Sequence, residues 1–215
     1  MISGTLDQCL SLLDPALDCL YTKKNNLNFG QLRECALAMR AKSKGAIGGR
    51  IALCGLPPEE FITSITAFDG TASTMLLLPE TLDASVQETM IQESSCTHRL
   101  DTGQNTLTPI RHNVDEEFDG VGTRWQLVTS GTTGTPKIIE HSFASLSRTV
   151  KLNQKKGREY HWGLLYDPSR FAGLQVVLQA LLAGSSLTLP GAGNFQDQVG
   201  ALLHPPVNAL SATPS

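Results

Sequence analysis

The sequence lacks a long apolar run, since no stretch approaches the roughly 18 residues that a helix needs to span a bilayer. The N-terminal residues also lack a basic segment followed by an apolar core, which is the pattern of a secretory signal. We therefore expect neither membrane insertion nor secretion.

An excess of basic residues is missing as well. Lys and Arg total 17 against 20 Asp and Glu, which gives a formal net charge of -3, and the basic residues are scattered along the chain. A nucleic-acid binder instead concentrates positive charge on one face or stripe. Nucleic acid is accordingly not expected as a partner.

The sequence has no C-x-x-C pair, and its cysteines are odd in number. They are Cys9, Cys19, Cys35, Cys54 and Cys96. Most have apolar neighbours, as buried free thiols do, which predicts a protein of the reducing cytoplasm. What the chain does contain is 40% hydrophobic residues in a length of 215, enough for one substantial core.

Apolar runs and the residues that interrupt them predict strands alternating with helices. The predicted strands are residues 50–54, 73–78, 97–100, 124–128, 162–166, 186–189 and 208–212. The predicted helices are short pieces within 6–20, then 32–39, 58–68, 86–93, a helix from about 142, 171–183 and 196–203. Pro58 marks one helix start, and a capping box of Ser85 and Glu88 marks another. This alternation predicts an α/β fold: a mainly parallel sheet with helices on both faces.

A polar segment, residues 101–121, precedes the strand that leads to the main motif. It carries an acidic run made of Asp115, Glu116, Glu117 and Asp119. A solvated loop is the ordinary interpretation of such a charge run, and metal binding is the alternative.

The segment from Thr129 to Lys137 reads Thr-Ser-Gly-Thr-Thr-Gly-Thr-Pro-Lys and has the properties of a phosphate-binding loop. Gly131 and Gly134 permit close approach of the backbone N–H groups to a ligand. Hydroxyl groups that can donate to phosphate oxygens come from Thr129, Ser130, Thr132 and Thr133. Lys137 supplies a mobile positive charge. The loop follows a predicted strand and precedes a predicted helix, where ligands of open α/β sheets bind.

Three other interpretations fit this loop less well. A Walker A loop requires four residues between its glycines and then Gly-Lys, whereas Gly131 and Gly134 are three apart and Lys137 follows Pro136. A serine-hydrolase elbow, G-x-S-x-G, is absent, and no nearby pattern suggests a base that could activate Ser130 in an amidase or esterase. A flexible surface linker rarely follows a Trp-Leu-Val strand.

The nine residues from Thr129 to Lys137 match the signature loop of the adenylate-forming superfamily, which includes acyl-CoA synthetases and peptide-synthetase adenylation domains. Glu140-His141-Ser142 also resembles that family, although His141 alone has a capping or packing role as its equal alternative. The resemblance implies that Thr129, Ser130, Gly131, Thr132, Thr133, Gly134 and Lys137 bind the phosphates of ATP.

A second resemblance lies in residues 166–174, where the family has a segment that lines the acyl pocket. It implies that Arg170, Phe171 and Gly173 border the acyl substrate. Arg170 stands where the family has an aromatic residue or His. Pairing of Arg170 with a carboxylate on the substrate and a surface position at a helix start are two open interpretations.

The resemblance implies that the chain activates a carboxylic acid with ATP to an acyl-adenylate, followed by thioester formation with coenzyme A. Residues 1–121 and 122–215 then form the N-terminal α/β region and the loop-carrying region of one incomplete large domain. The family's magnesium ligand and main catalytic lysine are expected outside this chain, so we expect a truncated, inactive N-terminal portion with a complementing C-terminal fragment as partner. A non-catalytic nucleotide-binding or scaffold fragment is the alternative.

Overall fold

The computed structural model describes residues 4–104, 106–110, 122–129, 136–191, 193 and 195–211. The helices in this part of the chain are α1 Leu6–Leu10, α2 Phe29–Lys42, α3 Pro58–Phe68, α4 Ala84–Glu93, α5 Phe143–Leu146, α6 Gln154–Gly157, α7 Phe171–Leu182 and α8 Phe195–Ala201. The strands are β1 Asp18–Tyr21, β2 Asn26–Asn28, β3 Arg50–Cys54, β4 Thr74–Leu78, β5 His98–Asp101, β6 Thr108–Pro109, β7 Arg124–Thr129, β8 Lys137–Ser142, β9 His161–Gly163, β10 Ser186–Thr188 and β11 Ala209–Leu210.

The larger of two sheets has six strands in the order β6-β5-β3-β4-β7-β8. Its four central strands are parallel, and each edge strand is antiparallel to its neighbour. All five residues of β4 are buried, which explains why its sequence, Thr-Met-Leu-Leu-Leu, is apolar without alternation. Helix α3 packs on one face of this sheet and α4 on the other.

The smaller sheet has five strands in the order β11-β9-β10-β1-β2, all parallel except β2. It joins the two ends of the chain, because β1 pairs with β10 through Leu20 and Leu187. The expectation of short helices throughout residues 6–20 is therefore wrong beyond α1. Residues Asp18–Tyr21 become a strand because a long-range partner, β10, is available to them.

The α/β class, the mainly parallel pairing and the helices on both faces are confirmed. The difference from the prediction is that the strands form two sheets, not one. Residues 1–121 and 122–215 both contribute to both sheets, since β7 pairs with β4 and β10 pairs with β1.

Helix starts show where local sequence signals decide the structure. Asn28 caps α2 through a reciprocal pair of hydrogen bonds with Gln31, and Pro58 is the first residue of α3, as predicted. The capping box predicted for Ser85 and Glu88 is wrong. Helix α4 has its N-cap at Asp83 without a side-chain hydrogen bond, and Glu88 Oε1 instead accepts from Arg99 Nη1 at 2.7 Å.

One apolar core connects the two sheets. It includes Leu20 and Leu187 of the smaller sheet, Ile51 and Met75 of the larger one, and most of the buried residues of α7. The side chains of the two glutamines on α7 bind the end of α5 and the segment after it. Gln175 Nε2 donates to the Leu146 carbonyl, and Gln179 Oε1 accepts from the Lys151 N–H.

A carboxylate is buried at the end of α3. Asp69 is 3% exposed, and its Oδ2 and Oδ1 accept hydrogen bonds from the Leu6 N–H at 2.7 Å and from Trp125 Nε1 at 3.0 Å. Desolvation raises the pKa of Asp69 to about 6, although both hydrogen bonds and the charge of Arg40 act in the opposite direction.

No disulfide bond joins any of the five cysteines, all of which lie in the described residues; Cys19, Cys54 and Cys96 are buried as expected, whereas Cys35 is exposed. In the part of the chain that the structure describes, no helix combines the length and the apolarity needed to cross a membrane.

Candidate functional site

The carboxyl ends of the four parallel strands of the larger sheet meet at one edge. Along this edge β4 and β7 are neighbours, and their register pairs Leu77 with Leu127. Pro79 and Thr129 each come two residues after this pair, so they lie side by side where the two strands end. Ligands of parallel α/β sheets bind at such an edge.

The phosphate-loop candidate connects β7 and β8 at this edge. Thr129 and Lys137, its first and last residues, are paired across the two strands, and Thr129 Oγ1 donates to the Lys137 carbonyl at 3.4 Å. Both residues are exposed. The other predicted phosphate-binding residues, Ser130, Gly131, Thr132, Thr133 and Gly134, lie outside the described residues.

The helix predicted from about residue 142 is present as α5, which begins at Phe143, but it does not follow the loop directly. The chain first forms β8, which runs antiparallel to β7, and only then the single turn of α5, capped by Ser142. The loop therefore does not lead directly into a helix N-terminus.

Strand β8 presents Lys137, Ile139 and His141 on one face. Their partners across the ladder are Thr129, Leu127 and Trp125, and the last two belong to the core that contains α7. Ile139 is 43% exposed. The lysine at the end of the loop thus shares a sheet face with an accessible apolar side chain.

The imidazole ring of His141 lies 5.7 Å from the ring of Phe171, with an interplanar angle of 37°. Phe171 is the first residue of α7 and is 52% exposed. The structure therefore brings the second predicted segment against the strand that follows the loop. The packing alternative for His141 is consistent with this contact.

Arg170, the residue before α7, binds the loop that follows β4. Its Nη2 donates to Thr81 Oγ1 at 3.1 Å. Across the described residues, no carboxylate lies within ion-pair distance of Arg170. Arg170 is half-buried and is the N-cap residue of α7, so its position is compatible with both interpretations, which stay predictions.

Gly173 serves the packing of the turn before α7. A Cβ at this position would overlap the carbonyl oxygen of Asp167, which leaves room for glycine alone. The carboxylate of Asp167 itself accepts hydrogen bonds from the N–H and hydroxyl of Ser169 at 2.9 and 2.6 Å. Gly173 therefore lets the first turn of α7, which begins with Phe171, pack closely against the backbone of Asp167.

Thiolate chemistry is disfavoured at this edge. Cys54 ends β3, and burial raises the pKa of its thiol to about 12, so the thiol stays protonated at neutral pH. The described ranges contain no group of three or more His, Cys, Asp or Glu that could hold a metal ion. The acidic run from Asp115 to Asp119 lies outside those ranges.

Two participants were not identified from the sequence. Thr81 follows a buried strand at the edge where the parallel strands end, and the polar residues after such strands are the signal that could have marked it. Ile139 belongs to the run Lys-Ile-Ile-Glu-His, whose adjacent β-branched residues favour a strand over the predicted loop-to-helix connection.

No protein-family model matches the chain. The nonribosomal peptide synthetase sidE of Aspergillus fumigatus is 23% identical over 217 residues, an alignment that covers 94% of this chain and 10% of that protein.

Solved structures agree more closely in shape. o-Succinylbenzoate CoA synthetase (MenE) of Bacillus subtilis, solved with its acyl-adenylate intermediate, superimposes with a TM-score of 0.74 at 16% identity over 98% of this chain and 62% of that chain. The N-terminal subdomain of Klebsiella oxytoca NpsA also gives 0.74 at 16% identity, over 95% of this chain and 60% of that one. The chain thus spans less than two thirds of the structures it matches. These likenesses confirm that it has the fold of the N-terminal region of the adenylate-forming enzymes.

Proposed function

We propose that this chain is the nucleotide-phosphate-binding portion of an enzyme that activates a carboxylic acid with ATP. The carboxylate attacks the α-phosphorus, an acyl-adenylate forms, and pyrophosphate leaves with the bonding electron pair. Transfer of the acyl group to the thiol of coenzyme A completes the proposed reaction and releases AMP.

The observation that carries this proposal is the position of Lys137. It closes the hairpin between β7 and β8 at the ligand-binding edge of the sheet, opposite Thr129, and is exposed there. A mobile ammonium group at this point can offset the negative charge that collects on the phosphates as pyrophosphate departs. The Thr and Ser hydroxyls of the loop sequence add donors to the same anion.

The similar solved structures support nucleotide binding. MenE has been solved in complex with AMP and with ATP and a magnesium ion, and the NpsA subdomain with 3-hydroxyanthranilyl-AMSN. Magnesium would neutralise phosphate charge when bound. Because the described residues contain no cluster of candidate metal ligands, we assign no residue of this chain to it.

The acyl part of the substrate is proposed to lie against Phe171. This ring is half exposed beside His141, on the face that also carries Ile139 and Lys137. An apolar body resting on Phe171 would thus lie on the same sheet face as the lysine assigned to the phosphates. Gly173 allows close packing of the helix turn that carries Phe171, and Arg170 immediately precedes Phe171.

Titration calorimetry with ATP and magnesium tests the proposal on the chain itself. We expect binding that Lys137→Ala weakens at least about tenfold, the loss expected for a charge-assisted contact. Lys155→Ala is the matched control, since Lys155 is exposed on α6 and does not belong to the hairpin of β7 and β8. A nonhydrolysable acyl-sulfamoyl-adenosine should compete with ATP. Absent ATP binding, or equal affinity in the Lys137 variant, contradicts the proposal.

A further inference from the structure

Arg170 and Thr81 connect the two segments that border the proposed site. Thr81 belongs to the loop after β4, the strand beside β7, whereas Arg170 immediately precedes α7. Their hydrogen bond holds the guanidinium at the edge where the parallel strands end. One Nη2 donor is used in this bond, and no side-chain acceptor other than Thr81 is found for Arg170 in the described ranges.

Among the residues that the structure describes, no acidic side chain forms an ion pair with Arg170. Asp167, three residues earlier, directs Oδ1 to the Ser169 N–H and hydroxyl instead. Glu80, beside Thr81, is exposed and forms no ion pair with Arg170. A guanidinium that is held by a hydrogen bond to Thr81 and forms no ion pair with a described acid is suited to an anionic ligand, and its planar fork matches a carboxylate.

The reacting carboxylate of the substrate is a poor match for this cation. That group loses its negative charge when the acyl-adenylate forms, so a strong ion pair would stabilise the ground state and slow the attack. An anion that keeps its charge throughout the reaction does not have this drawback. Phe171, next to Arg170, supplies an adjoining apolar surface for the body of the ligand.

We propose that Arg170, positioned by Thr81, selects a carboxylic acid that carries a second, non-reacting anionic group. This inference rests on the proposed function and adds a substrate class to it. Arg170 then contacts the substrate, and Thr81 acts as a positioning residue that keeps the guanidinium fork oriented toward it.

Binding of two matched acids tests this inference. Isophthalate has two carboxylates, and its monoamide, 3-carbamoylbenzoate, has nearly the same shape with one charge fewer. We expect the chain to bind isophthalate about tenfold or more tightly than the monoamide, as charge-assisted hydrogen bonds to one carboxylate would give. Titrations followed by NMR are run with and without ATP, so the comparison does not depend on the nucleotide.

Variants separate recognition from positioning. Arg170→Gln should remove the preference for the diacid while the affinity for the monoamide stays within about twofold. Thr81→Val should reduce the preference for the diacid partly. Arg170→Lys should retain less than half of the wild-type difference in binding free energy between the two acids, because Lys lacks the planar fork. Arg158→Gln is the control, since it removes the same charge from an exposed position.

Several results would overturn the inference. They are equal affinity of the wild-type chain for both acids, no binding of either, and an Arg170→Gln variant that loses affinity for both acids alike. A loss of ATP affinity in Arg170→Gln with the acid preference intact would assign the guanidinium to the phosphates instead. If the chain fails to bind ATP but still prefers the diacid, the proposed function is contradicted. The comparison of the two acids still decides whether Arg170 recognises the second anionic group.

Discussion

Trp125 Nε1 donates a hydrogen bond of 3.0 Å to Asp69 Oδ1 inside the core. Trp125 belongs to β7, the strand that ends at Thr129, and Asp69 is the C-cap of α3. Because the other carboxylate oxygen accepts from the Leu6 N–H, one buried group connects α1, α3 and the strand that leads into the phosphate loop.

Replacing Trp125 by Phe should destabilise the fold through this contact. The change leaves Asp69 Oδ1 buried without its donor, and hydrogen bonds to charged groups contribute about 1.5–3 kcal/mol. Trp162→Phe is the control, because the Trp162 Nε1 is buried without a hydrogen-bond partner in the described part of the chain. In urea unfolding, we expect Trp125→Phe to lose about 2 kcal/mol more than Trp162→Phe. Equal losses would mean that the Asp69 contact contributes nothing.

The raised pKa of Asp69 predicts a specific dependence of stability on pH. Its folded-state pKa of about 6 exceeds the ordinary value of 3.8, so the native state binds the proton more tightly than the unfolded chain. The contribution is complete below about pH 4 and is lost as the pH rises through about 6, with a total on the order of 3 kcal/mol.

Asp69→Asn should remove this dependence. The free energy of unfolding, measured from pH 4 to 7, should fall more steeply with rising pH in the wild type than in the variant, whatever the absolute stability of the variant. Parallel curves for the two proteins would show that Asp69 titrates alike in both states.

Two helical glycines make a matched comparison. Gly173→Ala introduces a Cβ against the Asp167 backbone, which cannot move aside as a side-chain end can, so we expect a loss of about 1–3 kcal/mol. Gly200→Ala in α8 meets nothing within 4 Å and should be neutral or stabilising by up to about 1 kcal/mol. Thermal unfolding of both variants measures the contrast. A Gly173→Ala protein as stable as Gly200→Ala would refute the assigned packing role.

The elements predicted correctly are those that local sequence determines. Pro58 and the apolar pattern that follows it predict helix α3, and β3 and β4 are apolar runs bounded by turns. The nine-residue loop motif was equally local. The position of this loop between two strands could not be predicted in the same way. Strand β8 is a largely exposed edge strand, so its sequence shows no strong alternation of apolar and polar residues.

What sequence reasoning missed depends on contacts between distant segments. The strand Asp18–Tyr21 requires β10, and the division into two sheets follows from which strands find each other. The bond between Arg170 and Thr81 is of the same kind, since nothing local to either residue signals the other. Tertiary partners override local propensity in each case.

The ladder between β7 and β8 also sets which side of the sheet receives the Lys137 ammonium group. Side chains alternate between faces along a strand, so a slip of one residue would place Lys137 on the face where Glu140 now pairs with Gln126. An insertion or deletion of one residue between Thr129 and Lys137 that is absorbed by such a slip would turn the cation away from the proposed ligand without altering a single functional residue. The number of residues in this hairpin connection is therefore a determinant of the site in its own right.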